Sequence, residues 1–316
     1  MKHKITLSIT AALVAASLWG SPAQLPWQED TGLALAAQAD YSKAKVYAKH
    51  DFRLKIPSAY DRLLITKAVD SFGMLFSVAE RASVEATPRG LEEDTGAGWL
   101  FTIGFVGEQK ISELMENDVP GQELFAKDGE GNFYLYYHPT DVRYARESRE
   151  AMERDQGQWR ELNEWAWDSV RQEFLKDNPQ LIPYTAEDWQ VNKEMAARGI
   201  TPAAFLGGWA DKTSGRCYME IKQGREKDAY DVKINWGDSA NRTYVWEMTA
   251  LALDSHQLCY RDARHYSLTF DGKGGEKRDM KYENGRGIFT LNSANEIMWQ
   301  DETGHAGDNA VFITAR

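Results

Sequence analysis

The stretch Tyr230-Asp231-Val232-Lys233-Ile234-Asn235-Trp236 alternates apolar and polar residues without a break. Successive side chains of an extended chain point to opposite faces, so Tyr230, Val232, Ile234 and Trp236 share one face and Asp231, Lys233 and Asn235 the other. One face suits a core and the other suits water. Cys217, Met219 and Ile221 alternate in the same way, as do Tyr244, Trp246 and Met248. Working outward, short strands are expected at 206–211, 216–222, 230–236, 242–251, 258–262, 276–282, 287–292, 296–301 and 310–314, with a further one at 266–270. The gaps between them are short enough for an antiparallel meander. An open meander of this length would expose two unpaired edges, which closure into a barrel of eight to ten strands removes; a two-sheet sandwich is the alternative. Val232, Ile234, Met219 and Ile221 are bulky and would share the interior with Trp236, so the expectation is a largely filled barrel with a shallow mouth.

Toward the N-terminus the pattern is mixed. Short runs rich in β-branched and aromatic residues, at 51–56, 62–69, 73–80, 98–106, 122–127 and 132–137, read as strands, and Pro57 stops the first. Glu108 to Asn117 carries Ile111, Leu114 and Met115 at helical spacing. From Thr140 to Lys176, Trp159, Leu162, Ala166, Val170 and Phe174 recur every three to four residues, which predicts a long amphipathic helix that Gly157 bends or splits and Asn178-Pro179 ends. Thr185 and Asp188 stand at the capping positions of a further helix to Ala197. The fold class is therefore an α+β N-terminal domain, an antiparallel sheet with helices, followed by an all-β C-terminal antiparallel barrel. The expected layout is a signal peptide at 1–23, a flexible leader at 24–48, the α+β domain at 49–198, a linker at 199–202 and the barrel at 203–316.

The chain has 316 residues, 42% hydrophobic, 27% charged and 12% aromatic, which suits packed domains and argues against disorder. A formal charge of -11 opposes sequence-independent binding to nucleic acid or anionic lipid. Lys2, His3 and Lys4 precede an uncharged, mostly apolar run from Ile5 to Gly20, and small residues at Ser21 and Ala23 suit cleavage before Gln24. This reads as a signal peptide, so the expected location is secreted or extracytoplasmic. The run is short of the roughly 20 residues that span a bilayer, no cysteine follows it to carry a lipid, and no second apolar span appears. Cys217 and Cys259 are too few for a thiolate metal cluster. They can bridge only if their strands are neighbours with both side chains on one face; otherwise they are two buried thiols.

Gly207-Gly208-Trp209 on the first barrel strand, followed by Ser214-Gly215-Arg216, resembles the start of a lipocalin-like (calycin-type) β-barrel of exported bacterial proteins of unassigned function, over residues 203–316. Phe52 to Pro57, Tyr60 and the strand Leu75 to Val78 resemble the PsbP-like α+β fold over residues 49–140. These resemblances imply binding of a ligand or protein more readily than catalysis. The candidate ligand-binding residues are Trp209, Trp236, Trp246 and Tyr244 in the barrel, because sugar rings and apolar ligands stack on Trp and Tyr faces.

Catalytic patterns are thin. None of His50, His138, His256, His265 and His305 has a metal-ligand partner at helical spacing, and neither HExxH nor Gly-x-Ser-x-Gly occurs. His138 joins the candidate set because it ends an aromatic strand just before Pro139; the alternative is a histidine bonded to backbone, with Thr140 or Asp141 capping the helix. Glu92, Glu93 and Asp94 lack the spacing of a calcium loop and read as a solvated turn. Glycines at 96, 98 and 104 and at 272, 274 and 275 do not join a strand to a helix, so no nucleotide cofactor is expected. Trp159, Trp165 and Trp167 cannot all share one helix face, so at least one packs elsewhere or forms an interaction surface. The expectation is a non-enzymatic binding protein for a small molecule, glycan or extracellular protein. A hydrolase of cell-envelope polymers and a barrel-type protease inhibitor are the alternatives.

Overall fold

The computed structural model describes residues 39–71, 73–87, 96–308 and 310–315. The segments read as a signal peptide and most of the leader, and Glu92, Glu93 and Asp94, lie outside them. In chain order the elements are β1 (Lys45–Lys49), β2 (Phe52–Ile56), α1 (Ser58–Asp61), β3 (Leu64–Ala68), β4 (Met74–Glu80), α2 (Arg81–Glu85), β5 (Trp99–Val106), α3 (Glu108–Asn117), β6 (Gln122–Lys127), β7 (Phe133–Tyr137), α4 (Arg149–Asp168), α5 (Val170–Asp177), β8 (Ile182–Pro183) and α6 (Ala186–Ala197). A 3-10 turn at Pro202–Phe205 leads into β9 (Gly207–Asp211), β10 (Cys217–Gln223), β11 (Ala229–Ser239), β12 (Arg242–Ala252), β13 (Gln257–Phe270), β14 (Glu276–Leu291), β15 (Ile297–Asp301) and β16 (Ala310–Thr314).

The N-terminal part is an antiparallel sheet of order β3-β4-β5-β7-β6-β8, with β1 and β2 forming a separate ribbon. Strand β7 shows why both sheet faces are covered. Its sequence FYLYY is apolar throughout; Tyr134 and Tyr136 enter one core with Trp159, Leu162, Trp165 and Phe174 of α4 and α5, while Phe133 and Leu135 enter another with Ile111, Tyr184 and Trp189. A strand buried on both faces loses polar alternation, which is how this one reads. Edge strand β8 tolerates Pro183 because a ladder donor is dispensable there.

Three expectations need correction here. The leader was expected to run to residue 48, yet Lys45 to Lys49 pairs with Phe52 to Ile56, and Tyr47 donates a 2.5 Å hydrogen bond to Asp61. Only Tyr47 and Lys49 of this strand are even partly buried, so its sequence carries little periodic signal. The long helix starts at Arg149, capped by Ser148 and not by Thr140 or Asp141, and its break falls at Ser169. Gly157 is passed without a break, its Cβ position being open space. Trp159 and Trp165 are buried, while Trp167 is 47% exposed.

The C-terminal part is a closed antiparallel barrel of eight strands, in the order β10-β11-β12-β13-β14-β15-β16-β9. Closure comes from β16 against β9, with Phe312 opposite Asp211 and Thr314 opposite Trp209. The expected breaks at 263–265 and 283–286 are irregularities inside the long strands β13 and β14, whose pairing shifts register around Ala263 and Gly285. The interior is packed by Met219, Ile221, Val232, Ile234, Phe289 and Phe312, all essentially inaccessible. Phe205 from the 3-10 turn joins this core and accepts a 2.8 Å bond at its carbonyl from Trp209 Nε1.

Sheet and barrel share the second sheet core, to which the barrel contributes Leu253 and Cys259. The hairpin between β12 and β13 carries this contact. Lys127 Nζ donates to the Leu253 carbonyl, Arg261 donates to the Gln180 carbonyl, and Ser255 N reaches Asn192 Oδ1 at 2.9 Å. Lys127 also lies 4.5 Å from the centre of the Phe133 ring, and burial lowers the pKa of its ammonium against the opposing pull of Asp254. Cys217 faces the barrel core and Cys259 faces the sheet, from strands that are not neighbours, so both are free buried thiols.

Candidate functional site

The end of the barrel opposite the β12–β13 hairpin bears an open pocket of about 510 Å³. Its walls come from the last inward residue of β11, Trp236, from Tyr244 and Trp246 at the start of β12, and from His265 of β13, with Ser214 and Arg216 on the rim. Register puts these side chains side by side: Trp236 is opposite Tyr244, Trp246 opposite His265, and His265 opposite Tyr282. The period-two rule thus builds an aromatic ladder around the mouth.

His265 lies flat on Trp246, ring centres 4.1 Å apart and planes 8° from parallel, with Tyr282 edge-on at 4.9 Å. Both imidazole nitrogens are inaccessible to water and lack a hydrogen-bond partner. Burial lowers the imidazole pKa below its ordinary value; Asp301 opposes this and Lys281 reinforces it, so the ring is held neutral. Beneath it, Trp246 Nε1 donates to Tyr282 Oη at 3.0 Å, and Tyr282 donates to Asp301 Oδ2 at 3.1 Å. Asp301 is fully buried and also accepts from the amides of Thr303 and Gly304 at 3.2 and 3.1 Å. The floor is closely packed: Trp299 meets Trp246 edge-on at 5.3 Å and donates to Tyr260 Oη at 2.9 Å. The rim loop crosses this indole at Gly307, where an added Cβ would come within 2.2 Å of the ring.

Of the residues expected to bind ligand, Trp236, Tyr244 and Trp246 come together here. Trp236 is half-buried at the mouth and not part of a filled interior, because it occupies the last inward position of its strand. Trp209 is buried in the packed core away from the pocket. His138 follows β7 in the sheet, its Nδ1 3.2 Å from the Pro139 carbonyl and its ring edge-on to Trp167 at 4.5 Å. It is apart from the mouth. His265 was missed because the break placed between 262 and 266 lost the alternation that sets it opposite Trp246. Arg216 was missed because it is the first residue of the strand expected at 216–222, on the face opposite that of Cys217, so alternation gives it to solvent and does not mark it as a ligand contact.

A second depression, of about 500 Å³, lies on the outer barrel wall among Glu220, Asp231, Lys233, Glu247, Asp262 and Arg264. Several of its charges are paired, Glu247 across strands and Glu220 within its own. Lys233 is 3.1 Å and Arg264 3.5 Å from Glu247, and Lys222 is 2.9 Å from Glu220. Burial alone would raise the Glu247 carboxyl, but hydrogen bonds from Lys233 and Tyr266 outweigh it and hold the pKa below the usual range. A carboxyl kept ionised in this way is a poor general acid.

Among the described residues, no group of three or more His, Cys, Asp or Glu side chains could hold a metal ion, and no helix is long and apolar enough to cross a membrane. No known family model, curated protein or solved structure matches the chain. The fold and the mouth define a two-part protein, an α+β sheet domain carrying a closed eight-stranded barrel with an aromatic open end.

Proposed function

We propose that this is an exported, non-enzymatic binding protein of the cell envelope or extracellular space that captures a small molecule bearing a planar ring at the open end of its barrel. The observation that carries the reading is the mouth itself, an open pocket of about 510 Å³ where the half-buried Trp236 and Tyr244 rings face solvent above the packed Trp246. Exposed aromatic faces lining a concave opening are what a planar ring stacks on. The closed barrel is compatible with a lipocalin-like fold, and the basic, then apolar N-terminal sequence supports export. A hydrolase reading would draw on the outer-wall carboxylates, of which Glu220 and Glu247 are ion-paired and Glu247 is held ionised by its partners.

Titrating the protein with 2-naphthamide, a neutral planar probe, tests the reading through tryptophan fluorescence. Saturable quenching that Trp236→Ala abolishes is expected. Unsaturable quenching, or quenching indifferent to Trp236, would refute it.

A further inference from the structure

Resting on that reading, the structure assigns the ligand a charge: we infer that the mouth takes a planar ring carrying a carboxylate, with the ring against the half-buried Trp236 indole and Tyr244 ring and the carboxylate on Arg216. The argument is a count of what each polar group at the mouth is already doing. The acids are spent. Asp238 is held by Arg242 through two contacts, 2.6 Å at Nε and 2.5 Å at Nη2. Asp301 is committed below to Tyr282 and the backbone amides of its own loop. Lys281 is paired with Asp279 at 2.5 Å. The unspent groups are donors. Among the described residues, the guanidinium of Arg216, the indole N–H of Trp236 and the phenol of Tyr244 make no hydrogen bond, and Arg216 has no ion-pair partner.

Arg216 is placed for this role by the sheet. Its carbonyl accepts from Gly237 N at 2.9 Å, which fixes it at the rim beside the residue that follows Trp236. Ser214 Oγ, which accepts from Arg216 N at 3.2 Å, braces the same turn. A guanidinium presents a planar fork that matches a carboxylate with two parallel bonds. A site with a free cation and several free donors at its rim, whose carboxylates already accept hydrogen bonds from other groups, selects an acceptor-rich anion over a neutral or cationic ring.

The experiment compares 2-naphthoate with 2-naphthamide, which share a ring and differ in charge, and adds octanoate, an anion without a ring. Binding is read by calorimetry on the whole protein, wild type and Arg216→Gln. Naphthoate is expected to bind at least about tenfold more tightly than the amide, the scale of a charge-assisted bond, and to lose that advantage in Arg216→Gln while the amide changes less than about twofold. Added salt should weaken naphthoate and not the amide. Equal affinity for naphthoate and amide would overturn the charge assignment and leave the ring-binding proposal standing. An advantage that survives Arg216→Gln would overturn the role of Arg216. Octanoate binding as tightly as naphthoate would overturn the ring requirement, and failure of all three probes would overturn this inference together with the reading on which it rests. Arg216 is exposed and outside any core, so an unchanged melting temperature for Arg216→Gln is the check that folding is intact.

Discussion

Trp236 and Trp299 face the same barrel space, yet their replacement by alanine should do different things. Trp299 is 1% exposed, stacks on Phe289 with ring centres 6.3 Å apart, meets Trp246 edge-on and donates to the buried Tyr260 hydroxyl. An indole buries roughly 200 Å² or more, worth about 5 kcal/mol at roughly 25 cal/mol per Å², and large-to-small aromatic substitutions cost about 3–5 kcal/mol in practice. The bond lost at Tyr260 adds about 1 kcal/mol. Trp299→Ala should therefore cost about 4–6 kcal/mol. Trp236 is only half-buried, makes one ring contact, with Trp246 at 6.3 Å, and gives no hydrogen bond among the described residues. Truncating it opens the pocket to water instead of leaving a dry cavity, so the expected cost is roughly 1–2 kcal/mol. Urea unfolding followed by far-ultraviolet circular dichroism gives both values, provided the slopes with denaturant agree. Ring binding should vanish in Trp236→Ala. If Trp236→Ala costs as much as Trp299→Ala, the indole is a core group and the mouth is not a preformed site.

Other perturbations follow from the same contacts. Arg146 is 5% exposed and grips the fully buried Glu80 with both terminal nitrogens, at 2.6 and 2.9 Å, so Arg146→Met should cost about 3–5 kcal/mol by stranding that carboxylate, whereas Arg146→Met with Glu80→Leu should recover much of the loss; a double variant as unstable as the single one would contradict this. The folded-state pKa of His265 is depressed below 6.5, so the folded protein binds fewer protons there than the unfolded chain, and the associated stability is present above that value and lost as pH falls through the depressed pKa. His265→Phe should remove this component of the pH dependence, and a wild-type imidazole titrating above 6.5 by NMR would exclude it. Burial pushes the Cys217 thiol up to about 12 and raises that of Cys259, so a thiol reagent should label neither in the native protein at neutral pH and both after denaturation; rapid native labelling of either would show that the burial is wrong.

How much of this was legible in the sequence varies with the range of the interaction. Alternation in 230–236 and at Cys217, Met219 and Ile221 is a property of one strand, and it sorted inside from outside correctly in every case. The capping box at Thr185 and Asp188 is equally local, and both reciprocal bonds form. Helix α3 and strand β6 need only their own periodicity, and their ends fall where the residues put them. Strand β1 escaped because pairing with β2, not its own burial, makes it a strand.

What tertiary structure decided is everything that depends on register between distant segments. Long strands β13 and β14 run through residues that look like breaks, because each pairs with the other across its irregularities and the ladder supplies what local pattern lacks. His265 therefore falls opposite Trp246, while the same imidazole read alone has no partner. Sequence placed Trp209, Trp236, Tyr244 and Trp246 together as aromatic candidates, and only barrel closure separated Trp209 and Trp246, buried in the core, from Trp236 and Tyr244, half-exposed at the mouth. Parity along a strand is fixed by covalent geometry and can be read one residue at a time. Which end of a barrel stays open is fixed by what fills the other end, here Phe205 and the hairpin packed against the sheet, and no local pattern encodes that.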